Sequence, residues 1–316
     1  TIKKGLGLIF LIVLLTTILA SQALHRIKIQ LTEDNRDALF TVLNSTNETL
    51  NLWSENNLED LNYMARQPEI VQFVTELLEV EQSKSALIAS NAQEQLREYI
   101  KLHDRNLALG YFIISPKYIS IASMRDHNIG SFNIIAKQQQ TVLDKVFAGE
   151  LAFVPPLHSE ISNVETGKNR RLAGDATAFF LAPISNSSGQ VIAAISMRVD
   201  PLKTFSKITR SGRIGETGET YAFDKYGTLV SESRFTEELK QLGLLTESEH
   251  SILNIIVQST SDSGSTQLTH MVRNALNGQP GNNMQGYLDY RNKKVVGVWT
   301  WNEKLNIGIT TEIDHS

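Results

Sequence analysis

Residues 212–234 read Gly-Arg-Ile-Gly-Glu-Thr-Gly-Glu-Thr-Tyr-Ala-Phe-Asp-Lys-Tyr-Gly-Thr-Leu-Val-Ser-Glu-Ser-Arg, and this stretch decides the fold class. Residues 221–223 favour a strand, residues 224–227 supply turn chemistry, and residues 228–230 return as a second strand. The stretch therefore predicts a β-hairpin. Its glycines precede the strand, whereas a phosphate-binding loop follows a strand and carries Gly-Lys-Ser/Thr, so nucleotide binding is not indicated.

The same plan occurs earlier in the chain. Residues 110–122 predict two strands around a turn at 115–117, and Ser-Met-Arg at 123–125 stands where Glu-Ser-Arg stands at 232–234 in the later copy. Each copy continues into a helix and finishes on strands that run into an acidic residue, Asp200 or Asp314. This repetition predicts two α+β modules in tandem.

The remaining elements follow from periodicity and turn residues. For the first module we expect a sheet that starts near Leu109, a helix at about 133–148, a hydrophilic insertion that ends near Gly174, and strands at 177–184 and up to Asp200. A helical link at 202–211 leads to the second module. There we expect helices at 235–242 and 265–277, a strand at 252–257, and final strands at 286–290, 294–301 and 306–313.

The chain begins with an apolar run. Residues 5–20 are almost entirely apolar and follow Lys3 and Lys4, which is the pattern of a membrane anchor whose lysines stay in the cytoplasm. We predict a retained anchor over residues 1–24. A signal peptide cleaved after Ser21-Gln22-Ala23 and a buried core helix are the alternatives.

A long helix is predicted to follow the anchor. From residue 25 to residue 67 there is no Gly or Pro, and apolar residues recur at helical spacing. One helix of this length would extend ~60 Å, ending at Pro68 or continuing there into the next helix; two or three shorter helices are the alternative. Further helices are expected at 68–79 and 84–103. The apolar stripe, which includes Leu50 and Trp53, serves either dimerisation or packing on the two sheets.

Composition excludes several classes of function. The net charge is −4 and the Lys and Arg residues do not cluster along the sequence, so a nucleic-acid partner is not indicated. There is no cysteine, which excludes disulfides, thiolate metal sites and cysteine nucleophiles. No His pair has zinc-ligand spacing and no Gly-x-Ser-x-Gly motif is present. We therefore predict no catalytic residues, no metal and no cofactor.

The candidate binding residues are polar groups at strand ends of the first module and the aromatic residues near them. A guanidinium at a cavity edge can grip a carboxylate, an acidic residue can hold an ammonium group, and aromatic residues supply apolar walls. The polar candidates can instead cap a local segment or pair with each other, and the aromatics can belong to the core. The candidates are Tyr111, Arg125, Asp126, Asn128, Phe153, Phe179, Arg198 and Asp200.

The second module offers a comparable set of aromatic and basic residues, for which core and interface packing is the favoured interpretation. These residues are Tyr221, Arg234, Tyr287, Trp299 and Trp301.

Several motifs resemble the double Cache family of sensor domains. The membrane-proximal half of that family resembles the motif at 212–224 quoted above, together with Leu-Val-Ser-Glu-Ser-Arg-Phe at 229–235 and Gly-Tyr-Leu-Asp-Tyr-Arg at 286–291. The strands at 295–301 and 307–314 fit it too. Its distal half is similar to Ala-Ser-Met-Arg-Asp-His-Asn-Ile-Gly at 122–130, Val-Phe-Ala-Gly-Glu at 146–150 and Phe-Val-Pro-Pro-Leu at 153–157.

The resemblance implies an α+β fold in which two tandem PAS-like antiparallel-sheet modules stack on a long N-terminal helix. The implied parts are an anchor at 1–24, helices at 25–104, a membrane-distal module at 105–205 and a membrane-proximal module at 206–314. The amino-acid-binding branch of the family has Tyr where Ser120 stands and an aromatic pair where His127 and Asn128 stand, while Asp200 matches its acidic residue. The ligand class therefore stays open between carboxylates and amines.

The resemblance also implies a function. A periplasmic sensor in a bacterial inner membrane would bind a small molecule in the distal module and signal, as a homodimer, to a cytoplasmic output domain. Such output domains are kinases, nucleotide cyclases, cyclic-dinucleotide enzymes or chemotaxis domains, and none lies in these 316 residues. The alternatives are an exported enzyme and a protein-binding module without a small-molecule ligand.

Overall fold

The computed structural model describes residues 2–104, 110–159, 176–260 and 264–315, without the side chains of residues 2–10 and 12. The expected start of the first sheet near Leu109 and the end of the insertion near Gly174 lie outside the described residues. Within the described part, no helix is both long enough and apolar enough to cross a bilayer. The anchor over residues 1–24 lies partly among side chains that are not described, and it stays a prediction, as does the division into four parts.

Helices make up the N-terminal third of the chain. Helix α1 (Ile2–Ala65) runs for 64 residues without interruption, which corresponds to roughly 96 Å at about 1.5 Å per residue. The long helix is confirmed, and the alternative of two or three shorter helices is wrong. Pro68 begins α2 (Pro68–Glu79), and the region expected as one helix at 84–103 is divided into α3 (Lys84–Ala89) and α4 (Asn91–His103).

The first module contains a five-stranded antiparallel sheet. Its strands are β1 (Tyr111–Ile114), β2 (Ser120–Ser123), β3 (Ala152–His158), β4 (Ala176–Ser185) and β5 (Val191–Val199), in the spatial order β2-β1-β5-β4-β3. Helix α5 (Ile134–Phe147) begins after Asn133, whose side chain caps it by accepting the Ile135 N–H. It packs on one face of the sheet and α1 packs on the other.

Strand β3 was not among the expected strands, and it contains two consecutive prolines. Pro155 and Pro156 lack backbone N–H groups and sit where the pairing register with β4 shifts, between Val154 and Leu157. Among the described strands β3 lies at the edge of the sheet, and an edge strand with an irregular register tolerates proline.

The second module repeats the plan with a smaller sheet. Helix α6 (Thr204–Ser211) leads into β6 (Glu219–Phe223), α7 (Thr236–Gln241), β7 (Gln258–Thr260), β8 (Thr266–Leu268) and α8 (His270–Leu276), and then into β9 (Gly281–Leu288), β10 (Lys294–Asn302) and β11 (Ile307–Asp314). Four of these strands form an antiparallel sheet in the order β6-β11-β10-β9, and β7 and β8 form a separate ribbon. The expectation of two tandem PAS-like antiparallel-sheet modules on a long helix is confirmed.

Three expectations for the second module are wrong in detail. Residues 228–230 make a bridge between Leu229 and Phe223 instead of a full hairpin strand. Residues 252–257 are irregular, with Leu253 at a positive φ of 63° that a strand cannot accommodate. The helix expected at 265–277 is preceded by strand β8 and covers only its second half.

One side of α1 supports both modules. Leu39, Leu43 and Leu50 are fully buried in a cluster that includes strands of both sheets. The Trp53 ring lies 5.1 Å from Phe180 and 5.9 Å from Phe205, measured between ring centroids. The apolar stripe of α1 therefore packs on the two sheets, and its assignment to dimerisation is wrong for Leu50 and Trp53.

Candidate functional site

The first module, with its five-stranded sheet, is called the distal module from here on, and the second is called the proximal module. The two faces of the distal sheet differ in what they contact. Because successive side chains of a strand point to opposite faces, Tyr111 and Ile113 of β1 join the cluster around α1, whereas Phe112 and Ile114 join the cluster beneath α5. On the α5 side lies a cavity of about 50 Å³. Since about 10–15 Å³ of such volume admits one water molecule, the cavity holds only a few waters, and a ligand of amino-acid size needs the lining residues to move apart.

The wall of this cavity comes from paired strands. Phe179 of β4 and Arg198 of β5 are register partners, so their side chains share the face that lines the cavity. The Arg198 guanidinium donates from Nε to the Thr177 hydroxyl at 2.9 Å, and the backbone N–H of Arg198 donates to the Gly110 carbonyl at 2.9 Å. These bonds hold the guanidinium of a half-buried residue at the cavity wall.

The loop after β2 forms the other side. The Ser120 hydroxyl accepts a hydrogen bond from the Asn133 amide at 2.9 Å, and the Ser131 hydroxyl donates to the Asn128 carbonyl at 2.7 Å. Gly130 has φ +74° and lies so close to α3 that a Cβ would be 2.7 Å from the Lys84 nitrogen. The loop is therefore fixed in position, and it presents hydroxyl and amide groups to the cavity.

The structure brings three of the eight candidate residues to the cavity, namely Asn128, Phe179 and Arg198. Tyr111 and Phe153 lie on the opposite face, in the cluster around α1. Burial raises the pKa of the Tyr111 phenol, whose oxygen has no hydrogen-bond partner in the described part of the chain. The binding role of all eight stays a prediction.

The other three candidates make contacts outside this lining, Asp126 with α4 and Arg125 and Asp200 with nearby residues. The Asp126 carboxylate accepts a bond from the Arg97 guanidinium at 2.6 Å. The Arg125 backbone N–H donates to the Ser123 hydroxyl at 3.3 Å, and the Asp200 carboxylate accepts the Leu202 N–H at 3.1 Å in the turn after β5. The described contacts of Asp126 are therefore an ion pair with α4 and those of Asp200 a turn bond, and the alternatives of capping by Arg125 and Asp126 and of pairing between Arg198 and Asp200 stay predictions.

Sequence reasoning missed eight lining residues, which are Phe112, Ser120, His127, Ser131, Phe132, Ile134, Ser159 and Thr177. Strand parity could have identified two of them. Thr177 precedes Phe179 by two positions and so shares its face, and Phe112 would replace Tyr111 if the parity of β1 were known.

In the proximal module, buried side chains occupy the face of the sheet that corresponds to the cavity side of the distal sheet. The Glu312 carboxylate is buried and accepts hydrogen bonds from the Tyr221 hydroxyl at 2.9 Å and the Tyr287 hydroxyl at 2.6 Å. The Glu219 carboxylate accepts the Tyr290 hydroxyl at 2.5 Å. Burial, followed by repulsion from Asp289, raises the pKa of Glu312 to about 8.

The core interpretation of the proximal aromatic residues is confirmed. Tyr221, Tyr287 and Trp299 are buried in one apolar cluster, and Trp301 packs against it. The Arg234 guanidinium donates to the Gly218 carbonyl. Among the described residues, no group of three or more His, Asp or Glu side chains is placed to hold a metal ion.

Comparison with known proteins identifies the fold. No protein-family model and no curated protein matches the sequence. The ligand-binding domain of the Pseudomonas aeruginosa PAO1 amino acid chemoreceptor PctB, in complex with L-Arg, is similar in structure, with a TM-score of 0.52, 10% sequence identity, and coverage of 89% of this chain and 88% of that one.

Two other solved structures align over comparable lengths. The sensor domain of the Vibrio cholerae histidine kinase DctB has a TM-score of 0.49 and 13% identity, with coverage of 91% of this chain and 98% of that one. The periplasmic sensory domain of the Campylobacter jejuni chemoreceptor Tlp1 has a TM-score of 0.47 and 12% identity, with coverage of 89% and 95%. The chain has the double Cache fold, which confirms the resemblance at the level of the fold.

Proposed function

We propose that this chain is the extracytoplasmic ligand-sensing region of a transmembrane receptor and that it binds a small carboxylate in the distal cavity. The observation that carries the proposal is the Arg198 guanidinium, held by Thr177 beside the aromatic wall of Phe179. A guanidinium in a partly buried site binds a carboxylate through two parallel hydrogen bonds. The PctB domain, which shares the fold, holds L-Arg, so this fold accommodates a small carboxylate-bearing molecule.

The charge of the lining favours a carboxylate over an amine. The Arg198 side chain carries a full positive charge, and no Asp or Glu occurs among the described residues that line the cavity. Asp200, the residue that matches the amino-acid-binding branch, accepts a backbone N–H from Leu202 in the turn that follows β5. Among the described residues, an ammonium group in the cavity would therefore find no carboxylate partner to replace its hydration.

The signalling route rests on α1. Because α1 packs on both sheets without a break, a displacement at the distal module can reach the N-terminal end of the helix as a rigid shift. Leu24, Ile27 and Leu31 are exposed and recur at heptad-like spacing, which suits pairing with a second copy. We propose a homodimer in a bacterial inner membrane, with the two modules in the periplasm and an output domain outside this chain.

A thermal-unfolding screen tests the binding site. The whole chain, in a mild detergent, would be heated with small carboxylates, amino acids and amines, beside the variants Arg198→Gln and Arg125→Gln. A ligand at a hundred times its Kd should add about 2.7 kcal/mol of stability. We expect a carboxylate to stabilise the wild-type chain and the Arg125→Gln variant but not the Arg198→Gln variant.

The two arginine variants separate the alternatives. Loss of the response in Arg125→Gln alone would place the ligand at the residue favoured by the sequence pattern and would contradict the Arg198 site. A response to amines alone would contradict the carboxylate assignment.

A further inference from the structure

Helix α6 joins the two modules and has two chemically different sides. Phe205, Ser206 and Thr209 are fully buried, with Phe205 against Trp53 of α1. The opposite side, together with the residues that flank it, lines an open depression of about 710 Å³. Its lining consists of Leu202, Lys203, Lys207, Arg210, Ser211 and Arg213.

The depression carries four positive charges. Lys203, Lys207, Arg210 and Arg213 are all exposed, and no described residue forms an ion pair with any of them. No Asp or Glu is among the described residues of the lining. The side chains therefore present a local excess of positive charge on a chain whose net charge is −4.

Sequence spacing conceals this cluster. The four cations are separated by intervals of four, three and three residues, so they do not form a run along the sequence. Lys207 and Arg210 lie about one turn apart on the same side of α6, while Lys203 and Arg213 flank its two ends, so the four side chains border one depression. Lys and Arg residues do not cluster along the sequence, but these four do cluster on the surface of the folded chain.

We infer that this depression binds a soluble polyanion with a chain of two or more phosphoryl groups. One exposed ion pair contributes little, so a singly charged anion is not retained, whereas a phosphoryl chain contacts several cations at once. The two guanidinium groups bind phosphate oxygens bidentately, and the lysines add point charges.

The position of α6 argues against membrane phosphates as the source. A Cβ on Gly212, the residue that follows α6, would lie 2.2 Å from the Thr46 hydroxyl, so the end of α6 sits beside Thr46 of α1. Thr46 is 22 residues beyond the predicted anchor, or roughly 33 Å along the helix, which exceeds the reach of lipid headgroups.

The site would act on the connection between the modules. Lys203 precedes α6, Lys207 and Arg210 belong to it, and Arg213 follows it. A phosphoryl chain bound to all four would therefore contact both ends of the helix that joins the modules. It is separate from the distal cavity, with which its described lining shares no residue.

Isothermal titration calorimetry with sodium tripolyphosphate tests the inference on the whole chain in a non-ionic detergent at about 0.15 M salt. We expect saturable binding that weakens about tenfold or more in the double variant Lys207→Gln/Arg210→Gln. The matched control Lys117→Gln/Lys225→Gln removes the same charge from exposed positions elsewhere and should leave the affinity unchanged. The variant Arg198→Gln should also bind normally, which separates this site from the distal one.

ATP provides the second arm. Equal affinity for ATP and tripolyphosphate would show that the phosphoryl chain alone is recognised, and tighter binding of ATP would identify a nucleotide as the source. Absence of saturable heat with both ligands would overturn the inference, as would an equal loss in the control variant. Binding of poly-glutamate in the absence of tripolyphosphate binding would also overturn it, because the partner would then be an acidic protein.

Discussion

The distal and proximal modules share one plan but use their polar residues in opposite ways. In the distal module Arg198 and Thr177 lie at a cavity, bordered by a loop of hydroxyl and amide groups. In the proximal module Glu219 and Glu312 are sealed among tyrosines, with each carboxylate satisfied by hydroxyl donors. The same type of sheet therefore supports either a binding site or a closed polar core, depending on whether large side chains fill the space between the sheet and the helix that covers it.

A single guanidinium balances much of the proximal charge. Arg291 is buried and lies 2.6 Å from Asp289, 2.9 Å from Asp314 and 3.6 Å from Glu238, measured between nitrogen and oxygen. It also stacks on the Phe235 ring at 3.7 Å. The proximal network is therefore structural.

The largest effect is expected from pH. Burial raises the pKa of Glu312 to about 8, so the folded state binds this proton more tightly than the unfolded state. The protonated Glu312 side chain contributes most to the free energy of unfolding below pH 4.5, the pKa of this group in the unfolded chain. This contribution is lost as the pH rises to about 8, so the free energy of unfolding falls by at most about 5 kcal/mol. Glu312→Gln should remove this decrease in urea unfolding between about pH 5 and pH 8.

An exposed residue gives the control for the pH series. Glu303→Gln changes the same functional group at the surface and should leave the pH dependence as it is in the wild type. A Glu312→Gln variant with the wild-type slope would mean that Glu312 is ionised in the folded state throughout this range.

The second prediction compares one arginine from each module. Arg291→Met leaves Asp289 buried without its partner and should cost about 3–5 kcal/mol of unfolding free energy. Arg198→Met lies at a cavity wall and should cost less than about 1 kcal/mol while abolishing ligand stabilisation. Equal losses in urea unfolding would erase the distinction between a structural and a binding arginine.

The third prediction concerns the helix that both modules share. Trp53→Ala removes ring contacts with Phe153, Phe180 and Phe205 and should cost roughly 3 kcal/mol. Leu52→Ala, one position away on the exposed side of α1, should change stability by less than about 0.5 kcal/mol. A large loss for Leu52→Ala in the isolated monomer would mean that the outer face of α1 packs within the chain.

The smallest effect is expected where α6 approaches α1. Gly212→Ala would place a Cβ 2.2 Å from the Thr46 hydroxyl and 3.0 Å from the Thr220 hydroxyl, which should cost about 1–2 kcal/mol. Thr46→Ala removes the nearer atom, so the double variant should recover part of the loss in a double-mutant cycle. Strict additivity would show that the two positions do not touch.

The sequence was sufficient for the architecture because its strongest signals are long. An uninterrupted helical pattern predicted α1, and paired strands with turn residues predicted most of both sheets. The segments that were predicted wrongly were short ones. Residues 252–257 look like a strand, but backbone bonds from Leu253 and Ile255 to Leu229 and Ser251 hold them in an irregular path.

The candidate site was harder to predict because strand β1 carries large apolar or aromatic side chains on both faces. Tyr111 to Ile114 carry no polar residue, so alternation could not show which side chains face α5. The same ambiguity affected Phe153 in β3. Arg198 was found because a charge near the end of a buried strand stands out from its neighbours, and Thr177 was missed because a threonine does not.

The paired prolines of β3 have a consequence for solubility. An exposed strand edge is a template on which a strand from another molecule can add, and this is a common route to aggregation. Pro155 and Pro156 offer no N–H donors over two consecutive residues, and the register shift there bends the edge out of line. Because Pro155 and Pro156 are also buried, a neighbouring chain cannot extend the sheet at that edge.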